Sequence, residues 1–307
     1  RKLNPEFPNP PRNTFSNYAG DAEIEFCLAT QDENGNSTTG ITRTATTITS
    51  FDCDGVLTGR NDMKRTATGG KDGWYALKYL NIWVCNLSNS QGGGQTLGFS
   101  YLPGVQSASW NAWKDGIVVD FQHFGDTLQA VSSDGRTPTH EVGHYLGLFH
   151  TFCEDEDAQG NPICCDNDNN VFAGFVDDTP AAKDIYFGLV NNAIPSTSSP
   201  DYNSCNDLNY GFSSNYPDMH ENFMSYAANT WMFSNKQIDV MNYTLNQSWN
   251  NGGRLELKNS DGCMTVGIID ILANKLIEIY PNPTNGKVNF KFAMNIKVNS
   301  IVIQNVL

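Results

Sequence analysis

Three histidines and one glutamate lie close together in the sequence, at a spacing that can hold a metal ion. His140 and His144 are four residues apart, so on a helix both rings lie on one face and can turn a nitrogen toward the same ion. Glu141 is adjacent and offers a carboxylate beside that ion. His150, a few residues later, is a candidate third ligand. Three neutral imidazoles favour zinc among the common metals, although the same ligands accept other divalent ions.

The third histidine can reach the ion only if the helix ends before it. His150 follows His144 by six residues, and a continuing helix would carry it about 600° round and roughly 9 Å along the axis. Gly147 is where the helix can end, because glycine adopts the left-handed conformation that turns the chain. We therefore expect His150 to return as the third ligand, with the fourth position open for water.

Such a site can hydrolyse peptide bonds. Zinc on three histidines lowers the pKa of a bound water to about 7, and Glu141 is placed to take its proton and pass it to the leaving amine. The negative charge that develops on the carbonyl oxygen is stabilised electrostatically. Two other classes of protein stay open at this point: a catalytically silent binding protein that keeps the metal for structure, and a zinc hydrolase of a non-protein substrate.

The run from His140 to His150 reads HExxHxxGxxH and resembles the metzincin clan of metallopeptidases. The other mark of that clan is a methionine in a tight turn, and the segment 222–226 of this chain resembles such a turn. By this resemblance Met224 forms the hydrophobic floor under the zinc, and Tyr226 hydrogen-bonds the reaction intermediate. The alternatives are an ordinary core methionine and a simply packed tyrosine.

Most of residues 20 to 250 are similar to one metzincin family, the pappalysins (peptidase family M43), and particularly to its bacterial cytophagalysin branch. The similarity rests on matches that occur in a shared order: residues 24–29, 40–43, 80–84, 102–104, 115–119 and 178–180, and the segment after Met224.

This resemblance implies further features of the site. Pappalysin relatives bind calcium near an Asp-Thr-Pro loop, which makes Asp178 and Thr179 candidate calcium ligands; a solvated acidic loop is the alternative. Members that prefer basic residues after the scissile bond carry an acid where this chain has Asn229, so that preference is not carried over. His123 and His220 lack a ligand partner at a useful spacing and are expected to be structural.

The elements around the site predict an α/β (α+β) fold of metzincin type. Its features are a twisted mixed sheet with the active-site helix above the cleft, an irregular lower subdomain that ends in a helix, and a small β-sandwich appendage. Strands are predicted at 22–30, 80–86 and 116–121, the last as the edge that takes a substrate strand; weaker helix signals lie at 44–51 or 61–71. The active-site helix is predicted at 137–146, capped by Thr137 or Thr139, and the C-terminal helix from a Ser234/Gln237 capping box to about Trp249.

Composition narrows the partners and the compartment. The chain of 307 residues carries 33 acidic and 19 basic side chains, a formal net charge of −14 that disfavours nucleic acids and anionic membranes. Membrane insertion is not expected, because no run approaches the roughly 18 apolar residues of a span. Eight cysteines predict disulfides outside the cytosol, and we expect the four between Cys153 and Cys205 to clip the lower half together. One or two others can be buried free thiols.

The predicted domains are a catalytic domain over 1–255, a linker over 256–272 and a partial β-sandwich over 273–307. The catalytic domain divides into an upper subdomain (about 20–150) and a lower one (about 151–255). Residues 277–288 resemble the start of the C-terminal sorting domain of the bacterial type IX secretion system; an ordinary β accessory module is the alternative. This resemblance implies a secreted or cell-surface bacterial protein that meets the type IX machinery during export and acts on proteins or peptides.

Overall fold

The computed structural model describes residues 14–55, 59–90, 94–104, 109–165, 176–188, 190, 202–263, 277–280 and 289–292. The chain divides into two units, Arg1–Cys263 and Met264–Leu307. This division falls inside the segment 256–272 that the sequence predicts to be a linker. The finer division into upper and lower subdomains stays a prediction.

The described part of the first unit combines short strands with few α-helices. The strands are β1 (Phe51–Asp52), β2 (Ile82–Cys85), β3 (Leu87–Ser88), β4 (Gly98–Ser100) and β5 (Ile117–Asp120). The helices are α1 (Thr137–Tyr145), α2 (Asn235–Asn246) and α3 (Leu255–Lys258). Short 3-10 turns lie at Ser16–Tyr18, Asp62–Lys64, Thr66–Thr68, Ser109–Lys114, Phe121–His123, Leu128–Ala130, Asp207–Tyr210 and Trp249–Asn251. The mixed α/β class and the strands at 80–86 and 116–121 are confirmed.

A three-stranded mixed sheet packs against α1. Its order is β2, β5, β4, with β2 parallel and β4 antiparallel to β5, and β1 pairs separately with β3. Side chains alternate along β5, so its two faces bury different residues. Ile117 and Val119 join the core that contains Tyr145 of α1, and Val118 joins a second core with Trp83 and Phe99.

The strand at 117–120 is central, so the prediction that residues 116–121 form the substrate edge is wrong. Every residue of β5 is buried, which is typical of a strand covered on both faces. Among the described strands of this sheet, β4 is the edge strand on the side of α1, which packs against β4 and β5.

The strand predicted at 22–30 is absent, because tertiary contacts other than a sheet ladder hold this segment. Phe26 and Leu28 are exposed, and Glu23 has a positive φ of 51°. A disulfide joins Cys27 to Cys263, and the Thr30 amide donates to the Gly262 carbonyl at 2.9 Å. The segment is thus fixed to the end of the first unit.

The helix predictions are partly confirmed. Neither 44–51 nor 61–71 forms an α-helix; the latter contains two 3-10 turns, and left-handed Gly69 follows the second. Helix α1 starts at Thr137 with Arg136 at the cap position and no side-chain cap bond, so neither predicted threonine is the cap. The capping box of Ser234 and Gln237 is present at the start of α2. The helix ends at Asn246, before the predicted end near Trp249, where a separate 3-10 turn begins.

Disulfides tie the irregular segment after α1 together, as expected for the four cysteines between Cys153 and Cys205. Cys153 pairs with Cys165, and Cys164 pairs with Cys205. Cys53 and Cys85 are free thiols. Within the described residues, no helix is long and apolar enough to cross a membrane.

In the second unit, β6 (Ile277–Tyr280) and β7 (Asn289–Phe292) form an antiparallel pair, with Ile277 opposite Phe292. These strands lie where the sequence predicts the appendage to begin. The rest of the predicted β-sandwich lies outside the described residues.

Candidate metal centre

The structure brings His140, His144 and His150 together. The Nε2 atom of His150 lies 3.2 Å from Nε2 of His140 and 3.0 Å from Nε2 of His144. Helix α1 carries the first two on one face. The helix ends before Gly147, which has φ +101°, and the Leu148 amide then donates to the Gly143 carbonyl at 2.9 Å. This turn returns the chain so that His150 faces the other two rings.

The opposite nitrogen of each ring is engaged elsewhere in the protein. Nδ1 of His140 lies 2.7 Å from the Phe223 carbonyl, and Nδ1 of His144 lies 2.7 Å from the Leu148 carbonyl. A neutral imidazole that donates from Nδ1 carries its lone pair on Nε2. Three such lone pairs pointing at one another repel unless a cation lies between them, so the donor set fits zinc.

The third ring is held by a carboxylate. Nδ1 of His150 lies 2.9 Å from Oε1 of Glu154, a residue that was not predicted as part of the zinc site. A carboxylate behind a histidine fixes the orientation of the ring and raises its basicity as a ligand. Residues 150–154 form no helix, so the four-residue spacing of His150 and Glu154 gave no signal in the sequence for this contact.

Burial keeps two of the histidines neutral. Desolvation, followed by the charges of the neighbouring histidines, lowers the pKa of His140 well below its ordinary value. The same causes lower the pKa of His144 to about 4. Near neutral pH both Nε2 lone pairs are therefore available to a metal.

Met224 lies directly under α1 and is fully buried. A Cβ atom added at Gly143 would come within 2.3 Å of the Met224 Sδ atom, so only glycine permits this contact. The Met224 amide donates to Oδ1 of Asn222, whose side chain also exchanges hydrogen bonds with Gln237 of the α2 capping box. Gly143 and Asn222 were not predicted as site residues.

Glu141 is buried beside the edge strand. Its Oε1 atom lies against Gly98, and its Oε2 atom has no hydrogen-bond partner among the described residues. Burial raises the pKa of this carboxyl to about 8. A buried carboxylate oxygen without a partner is costly, so this oxygen is available to a water or a substrate group.

Tyr226 completes the ring of side chains around the histidines. Its ring centroid lies 5.6 Å from that of His140 and 4.8 Å from that of His150. The side chain is 41% exposed, and desolvation raises its pKa to about 12. Its hydroxyl is therefore a neutral donor near pH 7.

The residues predicted to bind calcium have other contacts. Asp178 accepts hydrogen bonds from the Ser234 hydroxyl and the Lys236 amide, which anchors the start of α2. The Thr179 hydroxyl donates to the Val176 carbonyl at 3.1 Å. The calcium site stays a prediction.

The two remaining histidines, His123 and His220, contact residues outside the three-histidine cluster. Nδ1 of His123 is 3.4 Å from the buried Asp120 carboxylate, and His220 is buried between Tyr186 and Tyr202. Within the described residues, the one other group of possible ligands contains Cys153 and Cys165, which form a disulfide.

A known protein family and solved structures resemble this chain. Residues 65–246 match the Peptidase_M43 family model, described as pregnancy-associated plasma protein-A. The chain is 34% identical over 130 residues to an extracellular metalloprotease of Arthroderma otae, covering 39% of this chain and 41% of that protein. It is 36% identical over 90 residues to an extracellular metalloprotease of Verticillium alfalfae, covering 29% and 31%. The chain therefore matches less than half the length of these curated relatives.

Solved structures cover more of the chain. Mirolysin in complex with compound 9 is 31% identical, with a TM-score of 0.63 over 83% of this chain and 82% of that one. Mature mirolysin of Tannerella forsythia with a cleaved peptide is 31% identical, with a TM-score of 0.60 over 80% of this chain and 78% of that one. These similarities extend well beyond the histidine motif.

Proposed function

The chain belongs to the Peptidase_M43 family, and from this membership we propose that it is a secreted zinc endopeptidase that hydrolyses peptide bonds in proteins. One observation carries the proposal: Nε2 of His150 lies 3.0–3.2 Å from Nε2 of His140 and His144, and Glu141 on the same helix has a buried carboxyl oxygen with no partner among the described residues. A purely structural metal site needs no such free carboxylate. The alternative of a silent binding protein is therefore the weaker one.

In this proposal His140, His144 and His150 hold the zinc ion, and Glu141 is the general base. Bound zinc supplies a Lewis acid that polarises the peptide carbonyl and lowers the pKa of water. Glu141, ionised once a bound zinc ion offsets the burial that raises its pKa, would accept the proton of the attacking water and return it to the leaving amine. The Tyr226 hydroxyl donates a hydrogen bond to the carbonyl oxygen as negative charge develops there. Met224 and Gly147 position the ligands.

The edge strand β4 is the natural place for an extended substrate. A peptide can add to the edge of β4 that no described strand covers, through main-chain hydrogen bonds that do not depend on the peptide sequence. Glu141 lies against Gly98 of this strand, so a peptide on β4 passes the general base. The proposed substrates are therefore extended segments of proteins.

Several finer features belong to the same proposal. The enzyme is of the cytophagalysin-like branch, and Asp178 and Thr179 contribute to a calcium site. The segment from residue 277 begins a sorting domain for type IX secretion, so the protein is exported by a bacterium. The edge of β4 suits an extended peptide as substrate. The acidic net charge disfavours nucleic acid as a partner.

Cleavage of a denatured, proteome-derived peptide mixture tests the function. New termini are read by mass spectrometry for the zinc-loaded protein, a chelated sample and the Glu141→Ala variant. We expect cuts from the intact, zinc-loaded protein alone. Absence of cuts from a folded sample with verified zinc would contradict the proposal and favour the binding protein.

A further inference from the structure

Phe187 is an exposed aromatic residue beside the metal centre. Its ring is 73% exposed, and its centroid lies 5.7 Å from that of Tyr226. Tyr226 in turn contacts the rings of His140 and His150. A single exposed phenylalanine is common on protein surfaces, but this one continues a row of rings that leads to the candidate ligands.

The main chain around Phe187 is hydrogen-bonded to the segment that follows Tyr226. Gly188 forms a β-bridge with Ala227, and the Ala228 amide donates to the Gly188 carbonyl at 2.7 Å. Buried Asn229 binds the main chain of Val190 twice, accepting from its amide and donating to its carbonyl, each at 3.1 Å. These contacts hold the segment of Phe187 against the segment of Tyr226.

The preceding side chain anchors the same segment to the interior. The Tyr186 hydroxyl donates to Oδ2 of buried Asp218 at 2.6 Å, and its ring packs against Tyr202 and His220. The Phe187 ring is therefore presented to solvent by a backbone that is held on two sides. A rigid, exposed apolar ring loses little conformational entropy when a ligand covers it.

We propose that Phe187 and Tyr226 form an apolar shelf that receives a large apolar or aromatic side chain of the substrate, at a position flanking the scissile bond. The inference rests on the proposed function and adds a substrate class to it. A large apolar side chain on the shelf removes exposed apolar surface from water, whereas alanine covers little of it. Offset or edge-to-face contact with the two rings favours aromatic residues further.

The test compares the native protein with three variants. Phe187→Ala removes the ring, and Phe187→Tyr retains it. Val131→Ala is the matched control, because Val131 is an equally exposed apolar residue, at 74%, in the segment before α1. Zinc content is measured for all four proteins, so that loss of metal cannot be mistaken for loss of selectivity.

Peptide-library cleavage first identifies the position at which large apolar residues are preferred. Two peptides that differ only there, leucine against alanine, then give the ratio of kcat/KM values. We expect this ratio to fall about 10-fold or more in Phe187→Ala and to be retained in Phe187→Tyr and Val131→Ala. Binding of the same peptides, measured by fluorescence anisotropy with Glu141→Ala as background, should lose the same preference.

The outcomes separate the two proposals. Cleavage by the native protein without an apolar preference, or with a preference that survives Phe187→Ala, overturns the shelf and leaves the peptidase standing. Absence of cleavage overturns the peptidase; the binding assay then decides the shelf, which fails if leucine and alanine peptides bind equally.

Discussion

Each histidine of the candidate centre depends on a second contact for its orientation, and the three contacts differ. His140 and His144 use backbone carbonyls that are fixed by the fold, whereas His150 uses the side chain of Glu154. Glu154 is placed by its neighbour Cys153, which is buried and bonded to Cys165. The orientation of the His150 ring can therefore be disturbed by changing a single side chain, that of Glu154.

We predict that Glu154→Ala lowers zinc affinity by about 10- to 100-fold, because the His150 ring loses its carboxylate partner. Glu154→Gln should have a smaller effect, since its amide oxygen can still accept from Nδ1. Competition with a chromophoric chelator measures the dissociation constant. Glu156→Ala, an exposed acid two residues along, is the control, and equal affinities for Glu154→Ala and this control would refute the role.

At the scale of elements, the site depends on how closely α1 approaches the sheet. A Cβ atom at Gly98 would lie 2.8 Å from the Val118 carbonyl oxygen and 3.0 Å from Oε1 of Glu141. Glu141 and the edge strand can therefore be this close only because residue 98 has no side chain. Gly143 has the corresponding role where α1 meets Met224.

We predict that Gly98→Ala lowers kcat/KM by about 100-fold while zinc content stays unchanged, because a displacement near 1 Å misplaces the Glu141 carboxylate. Gly94→Ala is the matched control in the segment that leads into β4, since a Cβ there meets no atom within 4 Å. Steady-state kinetics on one peptide and metal analysis give both readouts. Native activity in Gly98→Ala would show that the strand can adjust.

At the scale of the whole first unit, a buried ion pair joins its last helix to its centre. The Arg254 guanidinium donates two hydrogen bonds of 2.8 Å to the Asp115 carboxylate, and it stacks 3.7 Å from the Tyr145 ring centroid. Asp115 precedes β5, Tyr145 ends α1, and Arg254 precedes α3. The pair thus connects the sheet, the active-site helix and the C-terminal end of the unit.

Removing one member of this pair should destabilise the unit strongly, because it leaves the other charge buried without its partner. We expect Arg254→Ala to lower the free energy of unfolding by about 3–5 kcal/mol, measured by urea denaturation of the zinc-loaded protein. Lys258→Ala, at the exposed end of α3, should cost less than about 1 kcal/mol. A loss in Arg254→Ala as small as that of the control would contradict this prediction.

The sequence by itself determined the features that depend on neighbours along the chain. The spacing of His140 and His144, the left-handed turn at Gly147 and the capping box at Ser234 follow from helix geometry and glycine stereochemistry. The existence of a strand at 117–120 follows from its apolar run. These signals are local, so a single sequence contains them.

The tertiary structure decided what depends on distant parts of the chain meeting. Strand order made β4 the edge and β5 the centre, and no periodicity within residues 116–121 distinguishes the two. The segment 22–30 has strand-like composition, yet the Cys27–Cys263 disulfide and the Gly262 carbonyl hold it outside a ladder. The Phe187 ring lies near Tyr226 because its segment is hydrogen-bonded to residues about forty positions later in the chain, as Val190 is to Asn229. Such contacts depend on the whole packing of the chain, because side chains far apart in sequence compete for the same neighbours.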